Sequence, residues 1–382
     1  MFDDFINFIR DLYSTNDLIP LHAPQFNGNE KKYIESAIDS TFVSSVGEFV
    51  NLFEGSVQEF TGVKHAIATV NGTSALHIAL ILSGVERNTE VITQSLTFVA
   101  TCNAIRYCEA IPVFIDVEKS TLGLSPQNLQ EFLDKNCELR DDGFCWNHIT
   151  NRRNSACMPM HTFGFPVDIE EIKKICLSFN IDLIEDAAES LGSFYKGKHT
   201  GNFGKISATS FNGNKIVTTG GGGMILTNDK NLAIKARHIT TTAKIPSLWS
   251  FDHDQLGYNY RLPNLNAALG LAQMESLSSY LQSKREIATK YQNWGNENEL
   301  NFITENLCCN SNYWLNCVIT ENKKIRDLML KKTNESKIMT RPTWTPMHKL
   351  SMYKNCQRTD MKNTEWLSSR IVNVPSSPIS IN

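Results

Sequence analysis

The densest group of potentially reactive residues is TSFNGNKIVTTGGGGM, residues 209 to 224, where Lys215 stands between two β-like segments and beside four consecutive glycines. A lysine amine in a crowded, partly desolvated setting can lose its proton and form a Schiff base with a carbonyl. Glycine lets backbone and a bulky ligand approach closely, and Ser210, Thr218 and Thr219 add hydroxyls. Further upstream, IDLIEDAAES closes a strand-like run with Glu185 and Asp186. Side chains alternate along a strand, so one of these carboxylates can face the crest of a sheet and hold a proton on a ring nitrogen. NGTSAL, with Gly72, Thr73 and Ser74, joins a strand to a helix whose first amides can point at an anion. Phe98 in SLTFVATCNAI can lie flat against a planar heterocycle, and His161 in MPMHTFG follows a strand end. Each feature also has a plainer reading: a solvated lysine, a helix-capping acid, an Asn-Gly turn, a core aromatic, a structural histidine.

These residues need a scaffold that gathers strand ends. From about residue 65 to 230 short apolar runs alternate with helical patterns, HAIATV with SALHIALILSG, EVITQ with FVATCNAIRYC, IPVFIDV with SPQNLQEFL, ACMPMH with DIEEIKKICLSF, and then IDLIEDA. That rhythm predicts βαβ units and a doubly wound α/β domain with a mostly parallel sheet, in which ligands sit beyond the carboxyl ends of the strands. Ser125 before Pro126, and Asp168 three residues before Glu171, mark helix starts. The character changes after residue 245, so the expected division is a large domain over 1–245, including an amphipathic helix in MFDDFINFIRDLY, and a smaller α+β domain over 246–382.

Composition removes several classes. The formal charge of −3, from 37 basic and 40 acidic residues without a dense Lys/Arg stripe, gives no footprint for nucleic acid. The most apolar stretch, TSALHIALILSGV, is shorter than the ~20 residues of a spanning helix, so no membrane segment is expected. The 10 cysteines are scattered without a C-x-x-C pair, which suits reduced thiols in a cytoplasmic protein. No H-E-x-x-H or G-x-S-x-G occurs, so zinc-hydrolase and nucleophile-elbow chemistry lack their parts, no metal is expected, and a lysine-bound cofactor remains.

The order NGTSAL, TFVAT, HTFGFPVD, EDAAESLG, SFNGNK with TTGGGG, and LGYNYRLPNLNAALG resembles the DegT/StrS family of pyridoxal 5'-phosphate (PLP)-dependent nucleotide-sugar aminotransferases, from PLHAPQF near residue 20 to VNVPSS near the end. The resemblance implies an aspartate-aminotransferase-like fold (PLP fold type I) and a homodimer with sites at the subunit interface. It implies that Lys215 is the catalytic lysine that links to the cofactor, that Asp186 pairs with the pyridine nitrogen and that Phe98 stacks on the ring. Gly72, Thr73, Ser74 and Ser210 match phosphate-binding positions, and Asn259 matches one that reaches the phosphate of the neighbouring subunit. Glu189 stands near the phenolic oxygen, where many relatives carry Gln, and Gly221 replaces the Glu of TTGEGG.

The variants SFNGNKIVTTGGGGM and PLHAPQFNGNEKKYIESAIDSTFVSSVGEFV are most similar to 4-aminotransferases of UDP-4-keto-6-deoxy-N-acetylglucosamine in legionaminic-acid and bacillosamine-type pathways. On that likeness Ser44, Ser45, Gly47, His161, Arg341, Trp344 and His348 are expected at the sugar-nucleotide site. L-glutamate is the expected amino donor, with pyridoxamine 5'-phosphate carrying the amine between half-reactions. A GDP- or dTDP-4-keto-6-deoxysugar substrate and a non-catalytic PLP-binding protein are the alternatives. Pyridoxamine-dependent dehydratases of the same scaffold place His where this chain has Lys215.

Overall fold

The computed structural model describes residues 2–379. The strands His65–Thr69, Glu90–Gln94, Ile111–Ile115 and Asp182–Asp186 are buried along almost their whole length, which a sheet achieves only when helices cover both faces. They join Arg152–Met158, Ile206–Ser210 and Gly223–Thr227 in one mixed sheet. Its order is 65–69, 223–227, 206–210, 182–186, 152–158, 90–94, 111–115. From 206–210 to 111–115 neighbouring strands are parallel. The strand Gly223–Thr227 runs against both of its neighbours. The expected α/β architecture is therefore present, as a mostly parallel sheet with one reversed strand.

Helix starts follow local chemistry. Asn71 caps Gly72–Leu82, its side chain accepting from the Ser74 amide, and Ser125 and Asp168 cap Pro126–Asn136 and Ile169–Ser178 in the same way. Among the elements that went unread in the sequence is a hairpin of Cys137–Leu139 and Cys145–Asn147, which extends the sheet alongside Arg152–Met158.

The C-terminal part forms a four-stranded antiparallel sheet, ordered Asn301–Phe302, Asn316–Ile319, Ile371–Val374, Arg341–Pro342. It packs with the helices Leu277–Glu297 and Lys323–Glu335. Two corrections to the expected division follow. The N-terminal helix Phe2–Tyr13 belongs with this smaller core, because Phe5 and Ile9 are buried with Ile287, Tyr291, Val318 and Val372. Conversely, the helix Asn264–Glu275 packs on Glu48–Thr61 beside the large sheet, where a Cβ on Gly270 would lie 2.9 Å from the Phe53 ring. An amphipathic pattern identifies a buried face without saying which core covers it.

Register decides the site. Gly223 is the partner of both Thr69 and Ser210, so the carboxyl ends of these two strands lie on either side of it. Its backbone presses against Asn71 and Gly72 so closely that any Cβ would overlap the Asn71 carbonyl. Gly223→Ala is expected to cost about 1–3 kcal/mol through forced backbone displacement and to weaken cofactor binding. Urea denaturation and a PLP titration check this, and wild-type values for both would show that the contact relaxes freely.

Candidate active site

The strand ends surround a cavity of about 320 Å³, a size typical of small-ligand sites. Asp186, the last residue of its strand, forms the base and is almost wholly buried. Its Oδ2 accepts from Thr101 Oγ1 at 2.7 Å and its Oδ1 from the Ala188 amide at 3.2 Å. Burial pushes its carboxyl above the usual range, while these hydrogen bonds and the charge of Lys215 pull the other way. A cationic N–H placed against this carboxylate would favour the ionised form.

Lys215 occupies the wall. Its Nζ lies 3.3 Å from Glu189 Oε1 and 3.8 Å from the centre of the Trp314 ring, an amine held between a carboxylate and an aromatic face. The turn that carries it is fixed by the Lys215 amide donating to the Asn212 carbonyl at 2.9 Å, and by Trp314 Nε1 donating to the Asn214 carbonyl at 2.8 Å. Glu189 is buried, and its Oε2 accepts from the Phe163 amide at 2.9 Å. Burial pushes the Glu189 carboxyl up to about 7 against the opposing pull of Lys215. The Phe163 amide is presented by an unusual turn, with Phe163 at φ +56° and Gly164 at φ +94°. At Gly164 a side chain would also collide with Asn312.

At the other end of the cavity the helix Gly72–Leu82 begins, so its first amides and positive dipole end face the space. Gly72, Thr73 and Ser210 line it, and a Cβ on Gly72 would lie 2.9 Å from Ser210 Cβ, so glycine keeps this end narrow. Phe98 and Trp344 form the rim, 47% of Phe98 being exposed, with ring centres 6.0 Å apart. An anion cradle, a buried carboxylate, an amine between them and an aromatic rim fit an aromatic cofactor with a phosphate arm.

The structure thus brings Gly72, Thr73, Phe98, Asp186, Glu189, Ser210, Lys215 and Trp344 to one cavity. Other expected residues lie elsewhere. Ser74 is buried behind the cradle, its amide already capped by Asn71. His161 takes the structural role: its Nδ1 accepts from the Val167 amide at 3.3 Å, which leaves Nε2–H to face Glu185 Oε2 at 3.1 Å. Glu185, pointing to the opposite face from Asp186, also collects the amides of Gly201, Phe203 and Gly204. Burial alone would raise the Glu185 carboxyl, but His161 and these amides hold it below the usual range.

His348 is enclosed by Ser95 Oγ at 2.7 Å and Glu365 at 3.4 Å. The Arg341 guanidinium is engaged by Asn334 and the Thr340 carbonyl, each at 2.8 Å. Ser44 and Gly47 contact Asn264 rather than the cavity wall, and neighbouring Ser45 is also absent from that wall. Asn259 is exposed and outside the cavity of this chain. Motif position brings a residue near a site without fixing its direction. Sequence reading also missed Thr101 and Trp314. Thr101 stood in the quoted TFVAT, three residues after Phe98 and so on the same helical side, whereas Trp314 lies in an irregular loop with no spacing signal.

Comparison with known proteins agrees with this geometry. The DegT/DnrJ/EryC1/StrS aminotransferase family model matches residues 24–379. GDP-perosamine synthase of Escherichia coli O157:H7 is 37% identical over 364 residues, 94% of this chain and 93% of the relative. The putative pyridoxal phosphate-dependent aminotransferase EpsN of Bacillus subtilis (strain 168) is 38% identical over 331 residues, 86% of this chain and 82% of the relative. A crystal structure of a DegT DnrJ EryC1 StrS aminotransferase from Brucella abortus superposes with a TM-score of 0.82 at 26% identity, covering 91% of this chain and 90% of that one. The chain belongs to the DegT/DnrJ/EryC1/StrS aminotransferase family, and is with it a PLP-dependent sugar aminotransferase.

Proposed function

We propose that this enzyme moves an amino group from L-glutamate to C4 of a nucleotide-linked 4-keto-6-deoxy sugar, and that the sugar is a UDP-linked N-acetylhexosamine. The observation that carries the transamination reading is the convergence of Lys215, Asp186 and the Gly72–Thr73–Ser210 cradle, distant in sequence, on one cavity. The C4 position is supported by the sequence likeness and by relatives named GDP-perosamine synthase. Bound PLP supplies an electron sink for a carbanion beside the transferred nitrogen. The chain's own residues do the rest. The helix start, Thr73 and Ser210 hold the phosphate, and Asp186 holds a proton on the ring nitrogen. Phe98 would cover the ring, while Lys215 would anchor the cofactor and move protons at Nζ. Trp344 and Phe98 narrow the mouth through which a sugar enters.

The likeness of SFNGNKIVTTGGGGM and PLHAPQFNGNEKKYIESAIDSTFVSSVGEFV supports the UDP-N-acetyl reading. The second reading, a GDP-linked 4-keto-6-deoxy hexose, is favoured by relatives named GDP-perosamine synthase that are 34–37% identical to this chain. Incubation of the enzyme with glutamate and, separately, UDP-4-keto-6-deoxy-N-acetylglucosamine or the GDP and dTDP keto sugars is expected to give a new amino sugar fastest from the UDP substrate. A preference for GDP selects the second reading. Lys215→Ala is expected to lose more than the ~10²–10⁴ attached to a positioned acid–base group, because the covalent anchor goes as well. Full activity of that variant would overturn the assignment, and absorbance of bound cofactor unchanged by glutamate would mark a non-catalytic PLP-binding protein.

A second copy of the chain completes this reading. Segment 245–256 exposes Leu248 and Trp249 at 93% and 82%, together with Phe251 and Leu256. Four large apolar side chains this exposed within one short segment mark a candidate interaction surface. Asn259, three residues beyond Leu256, is exposed, which supports the reading that it reaches a partner's site. Trp249→Asp is expected to convert a dimer into monomers in sedimentation velocity and to weaken cofactor binding, and an unchanged dimer would argue against this segment as the interface.

A further inference from the structure

Two carboxyls and one amine share the cavity, and their arrangement is unequal. Asp186 has a hydroxyl and an amide as donors. Glu189 has one backbone amide, from Phe163, and its other oxygen faces Lys215 Nζ at 3.3 Å. The side chain of Glu189 is only 2% exposed and that of Lys215 13% exposed, so water does little to stabilise either charge. The other titratable groups near this pair are Asp186, Cys317, whose thiol is pushed up in part by Glu189, and His22, held neutral chiefly by burial. None of these can replace Lys215 as the positive partner of Glu189.

We propose that Glu189 and Lys215 form a proton-exchanging pair, in which Glu189 takes up a proton whenever the lysine nitrogen loses its charge. The transfer balances without another reactant. An N–H bond of the Lys215 ammonium breaks, its electron pair stays on nitrogen, and the proton bonds to Glu189 Oε1, so that an ion pair becomes two neutral groups. A buried carboxylate deprived of its cation is costly, and a carboxylic acid is not. Glu189 thus makes Lys215 available as a neutral amine without expelling a proton across a closed site, which a glutamine in the same place cannot do. The inference rests on the reading of Lys215 as the reactive amine, but its test needs neither cofactor nor sugar.

The test uses the apo-protein. Competitive labelling with acetic anhydride over a pH series from about 6 to 10, followed by mass spectrometry at Lys215, reads the protonation of that amine. Removing the counter-charge disfavours the ammonium, so Glu189→Gln is expected to raise Lys215 labelling near neutral pH about tenfold. An unchanged labelling profile overturns the pair. Gln keeps an oxygen for the Phe163 amide, so the fold should survive. Should it not, Lys215→Met decides alone: infrared spectra of that variant at neutral pH should show a protonated-carboxyl band that grows relative to wild type, and no such band overturns the proposal.

A stability measurement tests whether Glu189 is the carboxyl whose ionisation is costly. A carboxyl raised from 4.5 to about 7 in the folded protein contributes stability that is present at low pH and lost as pH rises through about 7. That step should be present in wild-type apo-protein and absent in Glu189→Gln, and its persistence in the variant would overturn the proposal. The colour of PLP-loaded enzyme tests Lys215 itself and can fail or succeed independently of these readouts.

Discussion

Taking two carboxylates and an ammonium out of water within one small cavity is the constraint around which the rest of this molecule is arranged. Desolvation of each charge costs several kcal/mol before any partner is counted. Asp186 is therefore supplied with Thr101 and Ala188, Glu189 with the Phe163 amide, and Lys215 with Glu189 and the face of Trp314. Even the backbone departs from its ordinary range for this purpose. Phe163 adopts a left-handed conformation that costs about 1–3 kcal/mol for a non-glycine residue. Its amide reaches Glu189 as a result, while its ring packs 4.8 Å from Trp344.

The smaller domain takes part in this arrangement through a buried amine of its own. Lys284, in the long helix Leu277–Glu297, donates to the carbonyls of Trp314 and Ser376 and is fully buried. Burial drives its amine well below the ordinary lysine range. A neutral amine has two N–H groups, enough for those two carbonyls. The loop bearing Trp314 is thus fastened to the helix behind it, and the indole that supports Lys215 is held from the far side of the cavity.

Much of this was legible in the sequence wherever a local rule has a local cause. The five runs from HAIATV to IDLIEDA are strands because residues buried on both faces must be apolar, and the caps at Ser125 and Asp168 work by hydrogen bonds within one turn. Lys215 and Asp186 were accessible because chemistry at a strand end needs those residue types. Three kinds of information were not. The hairpin at 137–147 is polar and short, so its alternation is weak. The placement of Phe2–Tyr13 depends on a sheet some 300 residues away in the chain, between Asn301 and Val374. The orientations of His161, Arg341 and His348 depend on partners such as Glu185, Asn334 and Ser95, which no motif contains.

The reversed strand Gly223–Thr227 carries a consequence for how the molecule assembles. His65–Thr69 reaches the sheet only through it, since that early strand pairs with no other member of the sheet path. Roughly 150 residues must accordingly be synthesised and folded before the first strand finds its neighbour, a loop closure of high contact order. In the folded chain this strand lies between the strands that lead to the two walls of the anion cradle, Gly72–Thr73 and Ser210. A chain halted before residue 227 has both halves of the cradle, packed through the helix Gly72–Leu82 and the strand Ile206–Ser210, but lacks the strand whose register fixes Thr69 and Ser210 on either side of Gly223.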